Sequence, residues 1–265
     1  MKIREITCKS ALSPSKLPGL DYSLNPYVGC EHGCKYCYVP NVLKIPRNEW
    51  GSFVDVRVNI PLILSKELKN KKPGVVGIST VTDAYQPIEK KYKLTRYCLE
   101  QLLKYDFPIC IQTKSSLVTR DIDLIEKFTD AEVMFSIATI NDEQRLLLEP
   151  NSSSISDRLK SLQKFSETSV KTSVFFGPIY PSINLKQALN LIDLFVEYGA
   201  TEIMIDSLHM KPGIEHIIKE SLSKRPDLLK SFSKDKTDLK NQYLKFIDPI
   251  LKHAKEKNVK IVEAF

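Results

Sequence analysis

Short apolar, β-rich runs alternate with stretches of helical period along most of the chain. VVGIST (75–80) precedes PIEKKYKLTRYCLEQLLKY, FPICIQT (107–113) precedes RDIDLIEKF, and AEVMFSIAT (131–139) precedes ISDRLKSLQKF. VKTSVFFG (170–177), LKQALNLIDLFVEY and TEIMIDS (201–207) continue the series. The pattern predicts a repeated strand–helix unit. In the stretch after residue 80, Tyr92, Leu99, Leu102 and Leu103 share one helical face. Pro87 stands near its start, where a missing N–H costs nothing. Near-continuous apolar strands between amphipathic helices imply a parallel sheet covered on both faces, with right-handed crossovers.

A first strand just before Cys30 brings the count to six βα units by residue 207, short of the eight that close a full barrel. The expected fold is α/β, a partial (β/α)6 TIM-like barrel. Residues 1–207 would hold this core with an N-terminal segment. Residues 208–265 would form a basic, mainly helical extension packed on the barrel, with IEHIIKESLSKRPDLLKSF and DLKNQYLKFIDPILKHAKEK as helices and NVKIVEAF as a last strand. No low-complexity linker interrupts the chain, and nothing repeats beyond the βα rhythm.

Composition fits a globular domain: of 265 residues, 42% are hydrophobic and 27% charged. No run approaches the roughly 18 apolar residues of a membrane helix, and MKIREITCKSALS has no apolar core for a secretion signal, so a cytoplasmic location is expected. Lys and Arg number 39 against 32 Asp and Glu, a net charge of +7. Most of that surplus lies in residues 211–260, with 13 basic and 7 acidic side chains. This region reads as a solvated lysine-rich face or as a phosphate-contacting surface.

The informative chemistry is GCEHGCKYCYVP (29–40). Cys30, Cys34 and Cys37 form C-x3-C-x2-C on the loop after the first strand, at the barrel rim where such folds keep their active sites. Gly29 and Gly33 let the loop turn tightly. Cys8, Cys98 and Cys110 stand apart. Structural zinc takes four protein ligands, and His32 is the only nearby fourth candidate. A [4Fe–4S] cluster also takes four ligands, so three cysteines leave one iron open to a small molecule. Two readings follow: an enzyme with a ligand on that iron, or a zinc-stabilised nucleic-acid-binding module without turnover.

The spacing, with an aromatic residue before the last cysteine, resembles the radical SAM superfamily. NPYVGCEHGCKYCY, TDAYQPIEKKYKLTR, TKSSLVTRDIDL, and LEP with a downstream DRL resemble its spore photoproduct lyase-related group over about residues 1–210. The resemblance implies a radical SAM partial barrel, a [4Fe–4S] cluster on Cys30, Cys34 and Cys37, and S-adenosylmethionine chelated at the open iron. It further implies reductive cleavage to a 5′-deoxyadenosyl radical that abstracts hydrogen from a substrate. A low-potential donor, a flavodoxin or ferredoxin, would reduce the cluster. The substrate would be a nucleic acid or nucleotide, or else a protein or small molecule; the oligomeric state stays open.

The resemblance carries roles over by position. Tyr36 matches the aromatic whose backbone contacts the adenine. Thr80, Thr82 and Asp83 stand where relatives hold a motif that binds the cofactor's ammonium; helix capping is the other reading for the threonines. Lys114 would pair with the cofactor carboxylate, unless it is a surface lysine. Ser136 matches a hydroxyl near the cofactor, or is a buried, backbone-bonded serine. Glu149 and Arg158 are group features that an ion pair pinning the loop would explain.

One departure matters. The lyase itself uses a cysteine as hydrogen-atom donor and two tyrosines as a radical relay. The tyrosines are here as Tyr36 and Tyr38, but the donor position is Thr80. An O–H bond is too strong to replace a thiol in this role, so thymine-dimer repair is not expected. Cys110 lies four residues back from Lys114, about 13 Å from the rim, and reads as core. Cys98 reads as core on its helix.

Overall fold

The computed structural model describes residues 1–233 and 236–264. Its main sheet has eight strands in the order β11-β10-β9-β8-β7-β6-β3-β2. These are β2 (Leu12–Pro14), β3 (Tyr22–Leu24), β6 (Val76–Ile78), β7 (Ile109–Thr113), β8 (Ala131–Ser136), β9 (Lys171–Phe176), β10 (Glu202–Ile205) and β11 (Lys260–Glu263). All neighbours pair in parallel except β2 with β3. β6 to β10 are five of the six strands expected; the sixth is β3, not the segment just before Cys30, which forms β4 (Tyr27–Val28) and pairs with β5 (Phe53–Arg57) in a separate sheet. The sheet stays open: a partial barrel. β11 joins as a further parallel strand, formed by the segment read as NVKIVEAF; its final residue, Phe265, lies outside the described residues.

A smaller sheet of β1 (Lys2–Ile6), β5 (Phe53–Arg57) and β4 (Tyr27–Val28) lies next to the main one in sequence. β1 is exposed, and Arg4 holds it with paired bonds of 2.6 Å to the Asp55 carboxylate. The small sheet matters for function because β4 feeds directly into the cysteine loop.

Alternation along the strands sorts residues into two faces. Ile109, Ile111, Val133, Phe135, Val174, Phe176, Ile203 and Ile205 are buried in the core under the helices. The opposite face, toward the lumen, holds Gln112, Ser136 and Phe175 near the C-terminal strand ends. Near the other ends Lys171 reaches Glu132 at 3.4 Å and Glu202 at 3.2 Å, and Lys260 reaches Glu202 at 2.8 Å. Cys110 belongs to this ionic lumen and is only half-buried, so it is not the core residue expected. Burial first, then the Glu132 charge, raises its thiol pKa to about 12. Cys98 is fully buried, as expected.

The helix expected after Pro87 divides into Glu89–Tyr92 and Leu94–Leu103, because Lys93 adopts φ 53°. The break re-aims the second piece. Leu94, Cys98, Leu99 and Leu102 face the core, while Tyr92 bonds Glu5 at the surface. Tyr92 and Leu103 pack against the edge of this stripe, only half-buried. The extension forms helices Ile214–Ser221, Pro226–Phe232 and Lys236–Glu256, the last packed against Leu185–Glu197. Among the described residues no helix is long and apolar enough to cross a membrane.

Candidate active site

The cysteine loop is shaped by close backbone approach. A Cβ on Gly29, at φ 85°, would stand 2.5 Å from the Phe53 carbonyl oxygen. No other residue type fits there. Gly33 packs against Gly51, backbone to backbone. Within the loop, Gly33 N donates to Cys30 O at 3.2 Å and Cys37 N to Cys34 O at 3.2 Å. Distant segments pin it: Glu31 N donates to Gln86 Oε1 at 2.8 Å, Asn151 Nδ2 to Glu31 O at 2.7 Å, and Lys35 N to Leu148 O at 2.9 Å. The TDAYQP and LEP segments thus meet the cysteines in space.

Between this loop and the C-terminal strand ends lies a cavity of about 190 Å³. Cys30, Cys34 and Cys37 line it, as do Tyr36, Tyr38, Thr80, Thr82, Asp83, Lys114 and Ser136. Every candidate taken from the sequence therefore converges on one wall system. No other cysteine reaches it.

The thiols sit in a desolvated environment that favours the neutral form. Burial, and then the Asp83 charge, pushes the Cys30 thiol up to about 12. Burial also raises Cys34, against the opposing charge of Lys114, and it raises Cys37. A metal held here must drive off the thiol protons.

Asp83 does not offer free oxygens. Its carboxylate accepts from Thr113 Oγ1 at 2.8 Å, Lys114 N at 2.7 Å and Tyr85 N at 2.8 Å. Burial alone would raise its pKa; His32 and these bonds outweigh burial and bring it to about 2. Asp83 ties the end of β6 to the end of β7, and a direct bond to a ligand's ammonium is not its evident task.

The free groups are others. The hydroxyls of Ser79 and Thr82 are buried with no hydrogen-bond partner among the described residues, and both line the cavity. Buried hydroxyls are seldom left unpaired, and these two adjoin a space where a polar ligand would satisfy them. Thr82 is not a helix cap. Thr80 is not one either: Asn25 Nδ2 donates to its hydroxyl at 3.4 Å. Lys114 Nζ makes no hydrogen bond or ion pair with any described residue and stands 5.9 Å above the Tyr36 ring. Burial would lower its pKa, yet Cys34 and Glu149 raise it overall. Ser136 is buried; its hydroxyl accepts from Gln112 Nε2 at 3.4 Å and its carbonyl from Arg158 at 2.7 Å.

Behind the loop, Glu149 and Arg158 pair at 2.6 Å, both almost wholly buried. The Tyr36 hydroxyl donates a short hydrogen bond to Glu149, and Tyr180 donates to the same oxygen at 3.4 Å. The residue before the last cysteine is thus anchored through its ring, leaving its backbone at the cavity. Tyr38 is half-exposed, and its hydroxyl stands 3.5 Å from Thr80 O, the outer limit of a bond.

Sequence reasoning missed Asn25, whose Oδ1 accepts from Thr80 N at 3.1 Å and Val81 N at 3.2 Å and so shapes the loop after β6. It also missed Ser79, Gln112, Trp50, and the pair Asp206–His209, joined at 3.0 Å at the end of β10. Strand-end position was the available signal for Ser79 and Asp206. The zinc arrangement would need His32; its Nδ1 faces Asp83 Oδ2 at 3.3 Å without forming a hydrogen bond. Among the described residues no three Cys, His, Asp or Glu side chains converge on one metal position.

A family profile described as the Radical SAM superfamily matches residues 24–195. An uncharacterized protein of Methanocaldococcus jannaschii is 31% identical over 264 residues, covering 98% of this chain and 96% of the relative. A Pseudomonas phage M6 protein named Radical SAM Nalpha-GlyT isomerase is 27% identical over 207 residues, 72% of this chain and 43% of its own. In structure, a mutant spore photoproduct lyase with bound AdoMet and dinucleoside spore photoproduct superposes with a TM-score of 0.75 at 15% identity, over 99% of this chain and 82% of that one.

Proposed function

The chain belongs to the radical SAM superfamily, and from that premise we propose that Cys30, Cys34 and Cys37 hold a [4Fe–4S] cluster, that S-adenosylmethionine lies against it in the adjoining cavity, and that the enzyme abstracts hydrogen from a nucleotide or nucleic-acid substrate. When bound, cluster and cofactor together supply a 5′-deoxyadenosyl radical by one-electron cleavage of the sulfonium, the electron coming from a flavodoxin- or ferredoxin-like donor.

The observation that carries this reading is the inventory of unsatisfied groups around one cavity. Beside three thiols on a tight loop stand two buried hydroxyls, Ser79 and Thr82, and one ammonium, Lys114, none of which makes a hydrogen bond or ion pair with any described residue. An amino-acid moiety complements this set: its ammonium donates to the hydroxyls, and its carboxylate pairs with Lys114. The backbone at Tyr36, fixed through Glu149, would meet the adenine, and Ser136 stands within the same wall. Asp83 acts by fixing the backbone of Lys114. Tyr38, on the open side, is placed for the substrate.

Thymine-dimer repair does not fit. The cavity's thiols are all cluster ligands, and Thr80 holds the donor position with its hydroxyl committed to Asn25. A nucleotide substrate draws support from the dinucleoside bound by the lyase of like fold and from the basic surplus in residues 211–260.

Anaerobic reconstitution followed by iron and sulfide assay, with chromatography for 5′-deoxyadenosine after addition of dithionite and S-adenosylmethionine, tests the reading. About four irons per chain with 5′-deoxyadenosine formed supports it. Zinc without cleavage overturns it.

A further inference from the structure

Arg47 stands at the start of a short 3-10 turn, Arg47–Glu49, just past the cysteine loop. Its guanidinium spans two parts of the chain that are far apart in sequence. Nη1 donates to the Cys37 carbonyl at 2.9 Å, and Nε donates to the Pro212 carbonyl at 3.1 Å. A short hydrogen bond joins Nη2 to Asn41 Oδ1, and Asn41 Nδ2 in turn donates to Pro212 O at 3.2 Å. The fit is close: a Cβ on Gly213 would come within 2.8 Å of Arg47 Cδ.

The side chain is half-buried and accepts no help from a carboxylate; among the described residues it has no ion pair. Most other half-buried arginines of this protein do: Arg96 with Asp121, Arg120 with Glu89, Arg225 with Glu143. A guanidinium kept beside a cysteine ligand without an acidic partner points to an anion supplied by something other than protein.

We infer that Arg47 is a positioning residue for the cysteine loop, locking Cys37 to the segment that follows β10, and that its uncompensated charge raises the potential at which the cluster accepts an electron. The inference rests on the cluster assignment above. Reduction adds a negative charge to a cluster, so a cation held nearby stabilises the reduced form. The anchor also joins the cysteine loop to the segment that carries Asp206 and His209 on the cavity wall, so both walls share one fixed reference.

The test is an EPR-monitored redox titration of the reconstituted full-length chain. Arg47→Gln should retain iron and shift the midpoint potential downward, whereas Arg47→Lys, which keeps the charge, should stay near wild type. Should Arg47→Gln fail to fold, Arg47→Met serves instead: it keeps the aliphatic stem, removes the charge and should move the potential in the same direction. An iron-loaded Arg47→Gln or Arg47→Met protein with the wild-type midpoint overturns the inference and leaves the cluster assignment standing. A wild-type chain that takes up no redox-active iron overturns both.

Discussion

Glu149 and Arg158 lie nine residues apart in sequence and meet at 2.6 Å with their side chains 1% and 0% exposed. The pair is the support on which the residue before the last cysteine rests, because the same carboxylate accepts from Tyr36 and from Ser152. Removing one partner leaves a buried charge without compensation. Arg158→Ala should therefore destabilise the fold by about 3–5 kcal/mol, read as a lowered midpoint in chemical denaturation.

The same pair sets an acid limit. Burial would raise the Glu149 carboxyl, but Arg158 and then Lys114 overcome it and bring the pKa to about 2, below the ordinary 4.5. A depressed folded pKa means that the stabilisation is present above the unfolded value and lost as pH falls through the folded one. Stability should fall between about pH 4.5 and 2, with Asp83 contributing in the same direction. Denaturation curves across that window should be less steep in pH for Glu149→Gln than for wild type.

Thr82 separates binding from stability. Its hydroxyl is buried and unpartnered, so Thr82→Val should leave stability unchanged or slightly higher, since deleting an unsatisfied polar atom removes a desolvation cost. Affinity for S-adenosylmethionine should drop. A thermal shift assay and isothermal titration of the two proteins compare the effects directly; equal affinity would take Thr82 out of the site.

Lys114→Ala removes the cavity ammonium, which makes no hydrogen bond or ion pair with any described residue. Loss of a charge-assisted bond, about 1.5–3 kcal/mol, predicts roughly ten- to hundred-fold weaker cofactor binding with cluster content intact. Equilibrium binding to the iron-loaded variant measures it.

Cys34→Ala should abolish both cluster assembly and 5′-deoxyadenosine formation while the circular dichroism spectrum stays that of the folded chain. Retained cleavage in this variant would sink the cluster assignment.

The sequence by itself determined the parallel α/β partial barrel, because near-continuous apolar strands and helices with a 3.6-residue period are local patterns. It also determined the cysteine loop, because ligand spacing is written in consecutive residues. Through resemblance, it named residues that the fold then gathers around one cavity. What it did not determine is how each side chain spends its hydrogen bonds. Asp83 and Thr82 read alike as ligand acceptors, yet Asp83 is saturated by β7 while Thr82 is left free, a difference set by strand register. The break at Lys93 left Tyr92 half-buried at the edge of the core, with its hydroxyl bonded to Glu5. The links from Glu149 to Tyr36 and from Arg47 to Cys37 and Pro212 join residues separated by up to 165 positions. Contacts of that range carry no periodic signal, and only the packing of the whole chain decides them.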